Sequence, residues 1–273
     1  MNPYRVSPED FLKNSRLPVR VLPTEADMYE EMAEIIVSAI VENNGRAVVI
    51  CPVGPIGQYP VLARKINERR ISLRDVWFFN MDEYLDGSDR PIPSSDPLSF
   101  HGIMDRLLYS QIDPELVMPP EQRLFPEPGQ EAQIDRLLEK LGGADCCLTG
   151  VGINGHIAFN EPPAPEEPVS DEEFLGCGTR CLDISRETIV NNGAHKIHGA
   201  LDIFPRRCIT LGMKQLLASR NLKIYLYCDW QWGIMRKIAL EEPNRFAPAS
   251  FLQLHPNSEM VITEELLRMT LER

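Results

Sequence analysis

The feature that most constrains this chain is an alternation of short apolar runs with amphipathic stretches. "RAVVIC" (46–51), "DVWFFN" (75–80), "DCCLTG" (145–150), "CITLGM" (208–213) and "KIYLYC" (223–228) are six-residue runs. They are rich in β-branched, aromatic or cysteine side chains, and Gly, Pro or acidic residues bound most of them. Between and around them lie segments with helical spacing. "TEADMYEEMAEIIVSAIVEN" (24–43) puts Met28, Met32, Ile35, Ile36, Ala39 and Ile40 on one face and offers Thr24 and Asp27 as start signals. "VLARKINERR" (61–70), "LSFHGIMDRLLYSQI" (98–112), "IDRLLEKL" (134–141) and "WGIMRKIALEE" (232–242) continue the pattern. Strands that are apolar almost throughout, alternating with helices, require a sheet covered on both faces. The expectation is an α/β fold: a single-domain, doubly wound, mostly parallel sheet with helices on both sides.

A chain of 273 residues that is 43% hydrophobic can bury one enzyme-sized core, so residues 1–273 are expected to form one domain. Within it, 1–20 reads as an N-terminal lead. The Pro- and acid-rich stretch "PPAPEEPVSDEEF", within 162–178, reads as a lid or specificity loop. The balance of 28 Lys+Arg against 40 Asp+Glu gives a net charge of -12, which repels nucleic acid and anionic membrane surfaces. An odd number of cysteines, seven, several inside apolar runs, reads as reduced thiols. With no signal peptide pattern and no apolar stretch long enough to span a bilayer, the expected location is cytoplasmic.

In an open α/β sheet, ligands bind beyond the carboxyl ends of the strands. Three unusual loops fall there: "CPVGPIGQ", "NMDEYLDG" and "TGVGINGHIAFNEP", and they are expected to converge on one cleft. Asp82, just past a buried strand among apolar neighbours, has the desolvation that suits a general base; as a strand-ending acid it could equally cap a turn. His156, beside Gly155, can pass protons near neutrality, with Glu161 to orient it; alone, it could equally be a buried, hydrogen-bonded histidine. Asn160 and Asn154 could be ordinary turn residues. The five histidines show no HxxxH and the cysteines no paired CxxC spacing, and "HKIH" (195–198) reads as a polar edge, so no metal is expected. Loop 52–60 lacks both the Lys-Ser/Thr ending of a P-loop and a GxGxxG, which leaves neither ATP nor NAD indicated and no cofactor expected.

"FNMDEYL" (79–85), "GVGINGHIAFNEP" (150–162) and "SFLQLHPNSEMVIT" (250–263), in that order, resemble the glucosamine-6-phosphate deaminase/isomerase family, with the likeness running from about Leu22 to about Leu267. The related 6-phosphogluconolactonases share the fold and the glycine-histidine turn but lack the "FNEP" ending. The resemblance implies cofactor-free opening of a closed amino sugar, movement of the C2 proton toward C1, and release of ketose phosphate and ammonia. Asp82 would shuttle the proton. His156 would assist ring opening, held by Glu161 and Asn154, where Asn replaces an acid and leaves Glu161 to bear more of the histidine's charge. Substrate contacts are expected from Gly54, Pro55, Ile56, Gly57, Glu83, Gly155, Lys196 and Trp232, the implied partner being a small sugar or sugar phosphate; a homo-oligomer is also compatible.

The chain departs from the resemblance at the phosphate end. The loop "VGPIGQYP" has no Ser or Thr hydroxyl. The family's arginine falls near Ala194, with His195 and Lys196 as stand-ins and Arg186 as another candidate, and its lysine falls near Trp232, which would offer a face for stacking on a sugar. An altered or unphosphorylated sugar is therefore expected. Lactone hydrolysis and a non-catalytic sugar-sensing role are the alternatives.

Overall fold

In a computed structural model that describes residues 2–271, the chain forms ten strands. They are β1 (Val19–Leu22), β2 (Val48–Cys51), β3 (Trp77–Asn80), β4 (Asp82–Leu85), β5 (Arg123–Leu124), β6 (Cys146–Gly150), β7 (Arg180–Asp183), β8 (Arg207–Thr210), β9 (Leu222–Leu226) and β10 (Ser258–Thr263). Seven make a sheet in the order β1-β10-β9-β6-β2-β3-β5, every pair parallel. The expected doubly wound, mostly parallel fold is present, and the strand side chains explain it. Val49 and Cys51 of β2 join one apolar cluster, with the helices Glu25–Glu42 and Gln58–Arg69. Val48 and Ile50 join the other, with the helices Glu131–Lys140 and Trp232–Leu240. Successive side chains point to opposite faces, so a strand apolar at every position needs cover on both.

The helix read from residues 24–43 spans Glu25–Glu42, and Thr24 and Asp27 close a reciprocal capping box at its start. Met28, Met32, Ile36 and Ile40 are buried as expected; Ala33 and Val37 complete the stripe, whereas Ile35 and Ala39 sit at its margin.

One run is placed differently from expectation. "CITLGM" supplies β8, which is not in the parallel sheet but lies at the centre of a small antiparallel sheet, β4-β8-β7. A short apolar run specifies burial without specifying its partner. β4 itself lies in the stretch expected to be loop. A single residue, Met81, separates β3 from β4; its N–H donates to the Cys51 carbonyl of the parallel sheet and its carbonyl accepts from Leu211 N–H beside the small one. Asp82 therefore stands where the chain switches sheets. All seven cysteines are free, and among the described residues no helix is long and apolar enough to cross a membrane.

Candidate active site

The three loops do converge. A cavity of about 240 Å³ opens at the carboxyl ends of the parallel strands, lined by Pro52–Pro55 after β2, Asp82 and Tyr84 of β4, and Thr149–Gly152 and His156 after β6. Two further walls come from Tyr225, Tyr227, Cys228, Trp230 and Gln231, in β9 and just beyond it, and from Asn191, Asn192, His195 and Lys196 of the helix Arg186–Lys196.

Asp82 is buried, and no hydrogen bond from a described residue lowers its proton affinity. Burial pushes its pKa up to about 7, the neighbouring Glu83 charge adds to the rise, and Lys196 and His156 oppose it. A carboxylate poised near neutrality and facing a cavity is equipped to take and return a proton.

Glu161, the second carboxylate, is in the opposite situation. Burial alone would raise its pKa, but His156, Asn154 and Thr188 outweigh that and hold it near about 2. It is anchored through Asn154 Nδ2, 2.6 Å from Oε2, and through the Ser185 N–H at 3.3 Å. Ser185 also caps the 186–196 helix, so Glu161 faces the positive end of that helix dipole.

His156 connects the two. Its Nδ1 lies 2.8 Å from Asn154 Oδ1, 3.2 Å from Glu161 Oε2 and 3.3 Å from Thr188 Oγ1. Two acceptors at this nitrogen place the proton on Nδ1, which leaves Nε2 as the acceptor of the neutral ring. The ring lies against Gly152, where a Cβ would collide with it. Asn154 thus keeps the acceptor an acid would supply and also ties the histidine to Glu161. Asn160 plays a different part: its amide bonds the carbonyls of Ile157 and Leu211 and its oxygen accepts from Arg180, which locks the turn without reaching the cavity.

Of the residues expected to touch substrate, Gly54, Pro55 and Lys196 line the cavity. The Lys196 ammonium sits 5.2 Å from the Phe100 ring centre and 5.8 Å from that of Tyr84. Desolvation lowers its pKa, with Asp82 and Glu83 opposing. Five expected contacts lie elsewhere. Glu83 points to the other face of β4, accepting from Tyr84, Phe100 and His101 N–H groups and Ser99 Oγ, so its oxygens are committed to the start of the helix Phe100–Leu107. Ile56 projects to solvent. Gly57 lies beneath the Tyr29 ring, which a Cβ would strike, and Gly155, at φ 89°, turns toward Ile234 and Ala247. Trp232, expected as a stacking surface, is buried against Tyr4 and donates its indole N–H to Met269. The tryptophan at the cavity is Trp230.

Residues that sequence reasoning did not assign to the site are Gly152, Thr188, Ser185 and Trp230. A Ser-x-x-Thr at 185–188, opening a helix, was the available signal for two of them. The expected lid is also placed: none of residues 162–178 lines the cavity. Its second half is the helix Asp171–Leu175, docked through Phe174 against Phe251 and through Asp171 to Arg245.

No family model matches the chain. Curated relatives include the glucosamine-6-phosphate deaminases of Mycoplasmopsis pulmonis, 28% identical over 216 residues and covering 77% of this chain and 78% of that protein, and of Rhodopirellula baltica, 27% identical over 251 residues and covering 91% and 94%. Among solved structures, a monomeric glucosamine-6-phosphate deaminase superposes with a TM-score of 0.78 at 25% identity, over 92% of this chain and 98% of that one. The 6-phosphogluconolactonase of Trypanosoma brucei shares the fold at a TM-score of 0.64 and 16% identity, over 92% and 98%. Over most of its length the chain is similar in sequence and in fold to glucosamine-6-phosphate deaminases.

Proposed function

We propose that the chain isomerises a 2-amino sugar from aldose to ketose and releases the amine as ammonia. The observation that carries this reading is Asp82, a buried carboxylate with a raised pKa, lining the same cavity as a histidine whose far nitrogen is tied to Asn154 and Glu161. In the first step His156 Nε2 accepts the proton of the C1 hydroxyl and returns one to the ring oxygen, which opens the ring. Glu161 stabilises the transient imidazolium at Nδ1. The C1 aldehyde then acidifies the C2 proton. Asp82 removes it as O1 gains a proton from solvent, then delivers it to C1. Water adds to the resulting C2 iminium and returns one proton to solvent, and ammonia leaves, so amino sugar and water go in and ketose and ammonia come out.

The second enzymatic reading, lactone hydrolysis, needs His156 to activate water and gives Asp82 no task. The family's phosphate contacts are altered here, which favours a changed sugar terminus. The test follows glucosamine and glucosamine 6-phosphate in deuterated water. Wild type should introduce deuterium at C1 of the ketose formed, and Asp82→Asn should not. Hydrolysis of 6-phosphogluconolactone without any carbon-bound exchange would replace this reading with the hydrolase.

A further inference from the structure

The cavity has two unlike ends. β3, β2, β6 and β9 are successive neighbours in the sheet, so the Asp82 and Trp230 loops stand three inter-strand spacings apart, about 14 Å. The 186–196 helix reaches toward both, with Lys196 above Tyr84 and Phe100 at the Asp82 end and His195 6.2 Å from the Trp230 ring at the other. Lys196 is the only lysine or arginine among the lining residues. Its ammonium is drawn to Asp82 and Glu83, and so belongs to the reacting end.

The distal end carries charge of the other sign. Cys228 lines it, and after burial the charges acting on that thiol are Glu25 and Asp229, which help push its pKa up to about 11. Glu25 also bonds the Tyr29 hydroxyl. Tyr29 stands edge-on to Tyr227 at 5.8 Å and covers Gly57 at the start of the helix Gln58–Arg69. The amide end of that helix, where an anion could otherwise dock, is therefore roofed by an aromatic ring beside a carboxylate. His195 Nδ1 lies 2.7 Å from the Asn191 carbonyl, an acceptor only, so the neutral ring presents Nε2 as an acceptor. The distal wall thus offers ring faces, a ring-nitrogen lone pair and, about Cys228, two acids, a setting for a hydroxyl donor and a poor one for a phosphate dianion.

We propose that this distal end is a subsite for an uncharged hydroxymethyl group, and that the substrate is a 2-amino-2-deoxyhexose carrying no 6-phosphate. The proposal rests on the isomerase/deaminase reading for the orientation of the sugar, with C1 and C2 at Asp82.

Calorimetric titration of the Asp82→Asn variant with glucosamine and with glucosamine 6-phosphate separates the two ideas, because binding is read without turnover. Glucosamine should bind at least about tenfold more tightly, equivalent to about 1.4 kcal/mol. Adding Trp230→Ala should weaken glucosamine binding several-fold. Adding Glu25→Gln with Asp229→Asn should instead strengthen binding of the phosphorylated sugar. Equal or tighter binding of glucosamine 6-phosphate overturns the subsite, as does the absence of heat with both sugars. Ammonia release by the wild type is scored separately: tight glucosamine binding with no ammonia and no C1 deuterium would remove the deaminase reading and leave the neutral subsite standing.

Discussion

Asp82 and Glu161 are two carboxylates of one neighbourhood, and their surroundings drive them in opposite directions. Asp82 is buried beside another acid with no hydrogen-bond donor among the described residues, and its pKa rises to about 7. Glu161 is buried too, but a histidine, an asparagine amide and a helix start converge on it, and it stays charged down to about 2. Burial is common to both, so donors and counter-charges decide the role. One carboxylate can exchange a proton at neutral pH, and the other can only hold charge.

Removing the exchanging member should have the largest effect. Asp82→Asn is expected to lower kcat by about 10³-fold with KM little changed. The wild-type kcat/KM should fall as pH drops below about 7, because the base is then protonated. The same substitution should stabilise the fold. An acid whose folded pKa exceeds its unfolded one binds its proton more tightly when folded, so stability declines as pH rises from about 4 to about 7 and stays lower above that. A neutral amide has no such loss. A higher melting temperature for Asp82→Asn at pH 8, with the gain vanishing near pH 4, is the outcome to measure, and a loss of stability at pH 8 would contradict the buried-base reading.

The holding member should give a smaller kinetic effect and the reverse pH signature. Glu161→Gln keeps the hydrogen-bonding shape but removes the charge that steadies the imidazolium, so kcat should drop roughly tenfold to a hundredfold. Its depressed pKa contributes stability that is present above the unfolded value, about 4.3, and is lost as pH falls from there toward 2. Wild type should therefore lose more stability than Glu161→Gln between pH 5 and pH 3, and parallel acid-unfolding curves would show that His156 does not hold this carboxylate.

The grouping of Asp82 and His156 at one end of the cavity was legible in the sequence and the distal end was not, for a physical reason. Asp82, His156, Glu161 and Asn154 are carried by two short segments at strand ends, so local order along the chain already brings them near one another. Trp230, His195 and Glu25 come from three distant segments, and only packing brings them together: the edge contact of Tyr29 with Tyr227, and the reach of the 186–196 helix. Trp232 was expected at the site because the family's lysine falls near it, and sequence spacing cannot decide which of two tryptophans two positions apart turns inward to the core. In the fold, four of the seven parallel strands, β2, β3, β6 and β9, were visible as apolar runs, and β1, β5 and β10 were not among them. β4, β7 and the antiparallel placement of β8 were not, since their pairing depends on a chain reversal that hydrophobic pattern does not encode.

At the distal end, Trp230→Ala should raise KM roughly three- to tenfold and leave kcat unchanged, the pattern for a group that binds ground state and transition state equally. Trp232→Ala should do the converse. It removes an indole buried against Tyr4 and Arg236 and hydrogen-bonded to Met269, and is expected to cost about 3 kcal/mol or more in stability while the folded fraction keeps its KM. A KM effect confined to Trp232 would return the sugar-stacking face to that residue.

The smallest effect is expected from the 162–178 segment, and it divides in two. Residues 171–175 form a capped helix whose Phe174 is buried and whose Asp171 pairs with Arg245. Phe174→Ala should therefore lower stability by about 3 kcal/mol without changing kcat/KM in the protein that remains folded. Residues 164–168 are exposed, and no residue of the segment lines the cavity. If these residues act on the site, they must move over it when sugar is bound, and the binding energy of that contact would appear in KM. Shortening 164–168 to two glycines is expected to shift KM by no more than about twofold, because exposed polar loop residues contribute little to binding. A larger rise in KM, with glucosamine protecting the wild-type segment from proteolysis, would establish it as a closing lid.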